Sequence, residues 1–177
     1  MTHIYKIEKG THADLDGLAV LYDQLNDSLE AGTNYPGWIK GIYPVRETAR
    51  QGIEEGSLFI LKIDDNIAGS VILSHEPEIA YKQVKWKVDT DYENIIVIRT
   101  LVVHPSYMKK GVAVRLMKFA EEYARTNQMK SIRLDVSVHN IPAIALYEKL
   151  GYDYIGMVDL GLDYPHLKWF KLFEFVL

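Results

Sequence analysis

The chain has 177 residues, 48% of them apolar and 25% charged, which is enough apolar material for a sizeable core and excludes disorder of the whole. Twenty basic against 24 acidic residues give a formal charge of -4, which argues against a domain built chiefly to bind phosphate backbones. Cysteine is absent, excluding disulfides, thiolate metal sites, iron–sulfur clusters and cysteine nucleophiles.

No apolar stretch approaches the ~18 residues of a membrane span, and Met1-Thr2-His3-Ile4-Tyr5-Lys6 lacks a signal peptide's apolar core. The expectation is a cytoplasmic protein with no membrane partner. No repeat, low-complexity tract or linker interrupts the apolar pattern from Ile4 to Leu177, so residues 1–177 read as a single domain.

A short strand is expected around Ile4 to Ile7. Thr11-x-x-Asp14 has the form of a helix start, and Leu15, Leu18, Tyr22, Leu25 and Leu29 then recur at helical spacing as far as Gly32. Residues 32–44 mix turn-forming glycine and proline with Tyr35, Trp38 and Tyr43, which reads as an irregular loop with something to hold. A second helix is expected over Arg46 to Glu55, followed by a hairpin of Leu58 to Lys62 and Ile67 to Ser74 around Asp64-Asp65-Asn66. Lys82, Lys85 and Lys87 alternate about Trp86, as in an exposed strand or hairpin arm whose lysines guard an edge.

Ile95 to Val103 is a nearly continuous apolar run, the pattern of a strand covered on both faces, and it breaks at His104-Pro105-Ser106. Val112, Leu116, Ala120 and Ala124 mark one face of a helix from Gly111 to Arg125, and Ile132, Leu134, Val136 and Val138 alternate as a strand. Pro142 opens a further helix ending at Gly151, and strands near Tyr154 to Leu160 and Lys168 to Val176 close the chain. This order of elements predicts an α/β protein with a mixed sheet and helices on both faces.

The stretch Leu101 to Val114 runs strand, short loop, glycine, helix. A helix start leaves backbone N–H groups without partners and carries partial positive charge, so it can receive a phosphate, and Gly111 allows close approach. It is neither a P-loop, which needs Gly-Lys-Ser/Thr, nor a dinucleotide fingerprint, which needs three spaced glycines. On these residues alone, a lysine-rich loop that only solubilises the helix start fits equally well. Asp89-x-Asp91-x-Glu93 has Asn94 where a calcium loop needs glycine, and the six histidines form no ligand pair, so no metal is expected. The acidic balance also sets nucleic acid aside as a partner.

Met108-Lys109-Lys110-Gly111-Val112-Ala113 resembles the acyl-coenzyme A signature Gln/Arg-x-x-Gly-x-Gly/Ala of the GNAT superfamily of N-acetyltransferases, with Met108 in place of Gln or Arg. The stretch from Asn140 to Tyr152 resembles that family's Asn-x-x-Ala-x-x-Leu-Tyr-x-x-x-Gly-Phe, with tyrosine in the last place. The two motifs stand in the family's order, and the resemblance covers about Ile95 to Leu160. It implies the GNAT fold: a mixed, mostly antiparallel central sheet, helices on both faces, and a splayed parallel strand pair holding acetyl-CoA. It further implies that Leu101, Val102 and Val103 offer a strand edge to the pantetheine arm. The amides from Lys109 to Val114 would cradle the pyrophosphate, with Met108 beside the cofactor at the signature's first position and Lys109 or Lys110 reaching the adenosine-side phosphates, and Asn140 would touch the pantetheine or thioester region. Tyr147 would be the general acid that protonates the leaving thiolate.

The attacking amine must arrive without its extra proton. In several family members a glutamate on the fourth strand takes it, but Ile98-Arg99-Thr100 offers no carboxylate, which leaves His75 and Glu76 as base candidates. Tyr35, Trp38 and Tyr43 are acceptor-pocket candidates or, equally, a lid packed down over the core, and Arg99 is a candidate partner for either a substrate carboxylate or an internal acid. The expected activity moves an acetyl group from acetyl-CoA to a primary amine of a small molecule or peptide. With no cysteine acyl-enzyme available, the expected route is direct attack in a ternary complex. The alternative is a non-catalytic acyl-CoA-binding or sensing domain. The resemblance leaves room for a homodimer through sheet edges or the last strands.

Overall fold

Apolar periodicity accounts for nearly every element. In the computed structural model, which describes residues 2–177, the elements are β1 (Tyr5–Lys9), α1 (Leu15–Ala31), α2 (Arg46–Glu54), β2 (Leu58–Ile63), β3 (Asn66–Ser74), β4 (Ile95–Val103), α3 (Val112–Thr126), β5 (Ser131–Ser137), α4 (Ile141–Lys149), β6 (Asp153–Asp159) and β7 (Trp169–Val176). Contacts divide them into two compact units, each assembled from interleaved segments. The first holds the chain up to Asn34, Trp38–Leu73 and Arg99–Ala120; the second holds Tyr35–Gly37, Ser74–Ile98 and Glu121–Leu177. Strand β4 contributes its first half to the second unit and its second half to the first. Among the described residues no helix is long and apolar enough to cross a membrane.

In the first unit the strands are ordered β1-β2-β3-β4. β1 pairs antiparallel with β2, and β2 pairs antiparallel with β3 across the tight turn at Asp64-Asp65, where both residues take positive φ (49° and 65°). Helix α1 is introduced by a 3-10 turn at His12–Asp14, and the Asp14 carboxylate accepts the Thr11 N–H at 2.9 Å. Its stripe of Leu18, Leu21, Tyr22 and Leu25 packs with Ala49 of α2 onto Leu58 and Ile60 of β2, Ile72 of β3 and Val102 of β4. Each such leucine, fully buried, contributes roughly 1.5–3 kcal/mol. Phe59, between Leu58 and Ile60, points to the opposite face and meets Phe119 of α3 with centroids 4.9 Å apart. The sheet therefore carries helices on both faces, which explains why β2 and β3 lack polar alternation.

Gly69 on β3 sets how closely α3 and β4 approach that strand. A Cβ there would stand 2.6 Å from the Val102 carbonyl oxygen, 2.9 Å from Val112 Cγ1 and 3.2 Å from Leu116 Cδ1. The nearest of these is backbone and cannot swing away, and the Val112 and Leu116 side chains are themselves fully buried. Gly69→Ala is expected to cost about 1–3 kcal/mol by overpacking, measured as a lower urea midpoint at unchanged m value.

In the second unit the order is β4-β5-β7-β6. The β4–β5 pair is parallel, from Ile95 opposite Ser131 to Ile98 opposite Leu134, and the other pairs are antiparallel. Parallel neighbours need a crossover, which α3 supplies. One face of this sheet buries Tyr81, Ile95, Val97, Val158 and Leu172. On the other face Tyr147 of α4 and the Tyr152 that follows it approach Phe173 and Phe175 of β7.

The segment around Trp86 is not a strand. It consists of a 3-10 turn at Ile79–Gln83 and irregular chain up to a second 3-10 turn at Tyr92–Asn94. Burial alternates as a strand's would, with Val84, Trp86 and Val88 half-buried between exposed lysines. The inward side chains cover the second unit's core, and the backbone is tied by side chains: Trp86 Nε1 donates to the Tyr81 carbonyl at 2.9 Å, and the Lys87 N–H donates to Glu174 at 2.7 Å. Period-two burial without a neighbouring strand to pair with gave the sequence its strand-like look.

Candidate active site

In the first unit the candidate cradle begins where β4 bends. Thr100 has φ of 49°, the left-handed region that a β-branched residue rarely enters. Its hydroxyl is hydrogen-bonded to the Tyr43 hydroxyl. The strand then resumes through Leu101, buried Val102 and Val103, and the His104 N–H donates to the Ala68 carbonyl of β3 at 2.8 Å. His104 shapes the loop: its Nδ1 accepts the Ser106 N–H at 3.0 Å, which puts the proton on Nε2, where it donates to Gln24 Oε1 of α1.

The loop then winds through Lys109 with φ of 60° and Gly111 with φ of 77° into α3. Nothing lies within 4 Å of where a Gly111 Cβ would stand, so space is open beside this backbone. Buried Val112 anchors the helix start, the Gly111 carbonyl accepts the Arg115 N–H at 3.0 Å, and the amides of the first turn have no acceptor within the helix. Met108, Lys109 and Lys110 are exposed, Ala113 is half-buried and Val114 is exposed, while the Lys110 ammonium stands 5.5 Å from the Tyr107 ring. Open space beside Gly111, first-turn amides without helical acceptors and the exposed Lys109 and Lys110 fit a phosphate-bearing group.

Trp38 and Tyr43 of the aromatic loop lie in the same unit and meet edge to face, centroids 5.5 Å apart. Buried Asn26 of α1 donates from Nδ2 to the Tyr43 carbonyl at 3.1 Å. Arg99, half-buried, directly precedes the bend. Tyr35 belongs to the second unit, where its neighbour Gly37 accepts from His166 Nε2 at 2.9 Å.

In the second unit Asn140 caps α4, its Oδ1 accepting the Ala143 N–H at 3.4 Å, so this side chain already has a structural role. Two helical turns on, Tyr147 is 6% exposed and lies between Tyr152 and Phe173. Burial, and then the charge of Asp135 on β5, push its phenol well above the usual tyrosine range. Asp135 itself accepts from the buried Tyr81 hydroxyl at 2.7 Å. Sequence reasoning missed this pair; the one available signal was an acid inside the alternating strand Ile132 to Val136.

The base candidates lie at the end of β3. His75 Nδ1 donates to the Ile95 carbonyl at 2.7 Å, at the first residue of β4 and five residues before the bend, while the Glu76 N–H donates to Ser74 Oγ at 3.1 Å. His75 thus keeps Nε2 as its free acceptor, and both side chains are exposed.

Tyr22, buried in α1, and Tyr152 share the raised phenol pKa of Tyr147, burial being the main cause in each. The folded state therefore keeps three protons that the unfolded chain loses near pH 10. Stability is expected to be undiminished by these groups below pH 10 and to fall above it, by up to about 4 kcal/mol per pH unit. Absorbance titration of phenolate should show the three ionising only together with alkaline unfolding.

The family model of the acetyltransferase (GNAT) family matches residues 18–152. Streptothricin acetyltransferase of Escherichia coli is 34% identical over 76 residues, covering 43% of this chain and 43% of that relative. The aligned stretches span about half the length of the curated relatives. Among solved structures, a GNAT-family acetyltransferase of Streptococcus agalactiae superposes with a TM-score of 0.79 at 16% identity, over 98% of this chain and 95% of that one. A Salmonella typhimurium protein solved with its cofactor acetyl-CoA gives a TM-score of 0.69 at 13% identity, over 97% and 93%. These likenesses show the fold, and acetyl-CoA is the donor that the matched family uses. With most of its length matched by the family model, the chain belongs to the acetyltransferase (GNAT) family.

Proposed function

We propose that this chain is an acetyl-CoA-dependent N-acetyltransferase, its two units acting as one domain, that acetylates a primary amine by direct attack. The observation that carries the reading is Tyr147: a buried phenol at the motif's tyrosine position, packed near Tyr152 and Phe173. When bound, acetyl-CoA supplies an activated acyl carbon and a thiolate leaving group. The amides of Lys109 to Val114 and the nearby lysines bind its pyrophosphate, and Leu101 to Val103 bind the pantetheine arm through their backbone. The amine nitrogen forms a bond to the acyl carbon as the carbon–sulfur bond breaks, and Tyr147 hydrogen-bonds the developing thiolate and protonates it, regaining its own proton from solvent. The nitrogen's surplus proton passes to solvent, directly or by way of His75 Nε2 or Glu76. Because the chain has no cysteine, no cysteine acyl-enzyme intervenes.

Thiol release should be followed with acetyl-CoA over a panel of amines that includes streptothricin, spermidine, amino acids and peptides with free amino termini. Release with at least one amine, with intersecting initial-rate patterns, is expected. Coenzyme A binding without thiol release from any amine would overturn the catalytic reading in favour of a sensor, and parallel patterns would overturn direct attack.

A further inference from the structure

The bend at Thr100 needs an explanation of its own. A non-glycine, β-branched residue stays in left-handed conformation only where its surroundings hold it there. Within the first unit, the hydroxyl bond from Tyr43 is a specific tie to this side chain. Tyr43 is in turn fixed on two sides: Asn26, 2% exposed, donates to its carbonyl, and the Trp38 ring abuts its ring. Beyond the bend, Val102 is buried and its carbonyl is packed against Gly69, so the chain has no freedom to absorb a change at Thr100 downstream. The parallel pairing of β4 with β5 ends at Ile98, two residues before the bend, so no ladder bond of that pairing fixes Thr100 itself.

We infer that Tyr43 is a positioning residue: its hydroxyl holds Thr100 in the left-handed bend and thereby sets the backbone direction of Leu101 to Val103. This assigns Tyr43 to the donor side of the reaction, although the sequence suggested an acceptor wall, and it ties the aromatic loop to the strand that receives pantetheine. It rests on the proposed role of Leu101 to Val103 in binding that arm.

The test combines Tyr43→Phe, Thr100→Gly and the double variant, with coenzyme A affinity by calorimetry and amide exchange of Leu101 and Val103 in the free protein. Tyr43→Phe keeps the ring and its contact with Trp38, and loses the hydroxyl bond to Thr100. It is expected to weaken coenzyme A binding and speed exchange at these amides, each by about tenfold, the worth of one hydrogen bond. Glycine adopts positive φ without a clamp, so in the Thr100→Gly background Tyr43→Phe should change either reading by less than about twofold. Thr100→Val, which removes the same bond from the other side, should reproduce the Tyr43→Phe loss and serves if Tyr43→Phe does not fold. A tenfold loss that persists in the Thr100→Gly background would overturn the inference. So would a Tyr43→Phe effect confined to the KM of the acceptor amine. Failure of the wild-type protein to bind coenzyme A would strike the donor reading alone, and the exchange measurement would still decide whether Tyr43 holds the bend.

Discussion

Tyr147→Phe is expected to lower kcat by about 10²–10⁴-fold, the usual worth of a positioned general acid, while the melting temperature stays within a few degrees of the parent. Phenylalanine fills the same space between Tyr152 and Phe173, so packing survives and only the proton donor is lost. The pH profile separates this role from a merely structural one. Burial and the neighbouring Asp135 carboxylate both disfavour the phenolate, so the donor form persists past the ordinary tyrosine pKa of about 10. The parent's rate should therefore rise as the amine loses its proton and show no falling limb from Tyr147 below about pH 10. A variant with full turnover at every pH would remove Tyr147 from the chemistry.

The second large effect concerns stability. Arg133→Ala is expected to cost about 3–5 kcal/mol, because it strands a carboxylate that the fold has taken out of water. Glu174 on β7 is 0% exposed and Arg133 on β5 is 3% exposed. Their Nε–Oε2 separation is 2.9 Å; Ser131 Oγ donates to the same oxygen at 2.9 Å, and the Lys87 N–H donates to the other at 2.7 Å. Arg133 also donates to the Tyr92 hydroxyl and the Val88 carbonyl, and its guanidinium lies 4.4 Å from the Trp86 ring centroid. One side chain thus joins β5 and β7 to the irregular segment that covers the second unit's core. The melting temperature of Arg133→Ala should fall by roughly 6–20 °C. The double variant Arg133→Met, Glu174→Leu should lose less than Arg133→Ala, since it leaves no buried charge unpaired. Equal losses in the two would show that packing, and not the charge, sets the cost.

The fold was legible wherever a pattern was local and its partner was a flat apolar surface. The stripe of α1, the unbroken apolar run of β4 and the alternation of β5 each report a buried face, and each of these elements lies within a few residues of its expected bounds. The lysine–tryptophan segment misled because period two records which residues face inward, and a covering loop shares that property with a strand. The candidate site was legible in its two motifs. Gly111 takes a positive φ with open space beside it, and Tyr147, at the motif's tyrosine position, is buried. Asn140 shows the limit of motif reading, since a residue that opens a helix is called upon to cap it whatever else it touches.

By itself, then, the sequence determined the order of strands and helices apart from the segment around Trp86, the absence of cysteine nucleophiles, the glycine-opened helix start and the tyrosine that follows it, because these depend on residue type and short-range spacing. Only the tertiary structure decided the left-handed Thr100 under Tyr43, the raised pKa of Tyr147 beside Asp135, and the Arg133–Glu174 pair beneath Trp86. The partners of Thr100 and Arg133 stand 57 and 41 residues away along the chain. A strained φ or a buried charge is tolerable only when such distant groups are already in place.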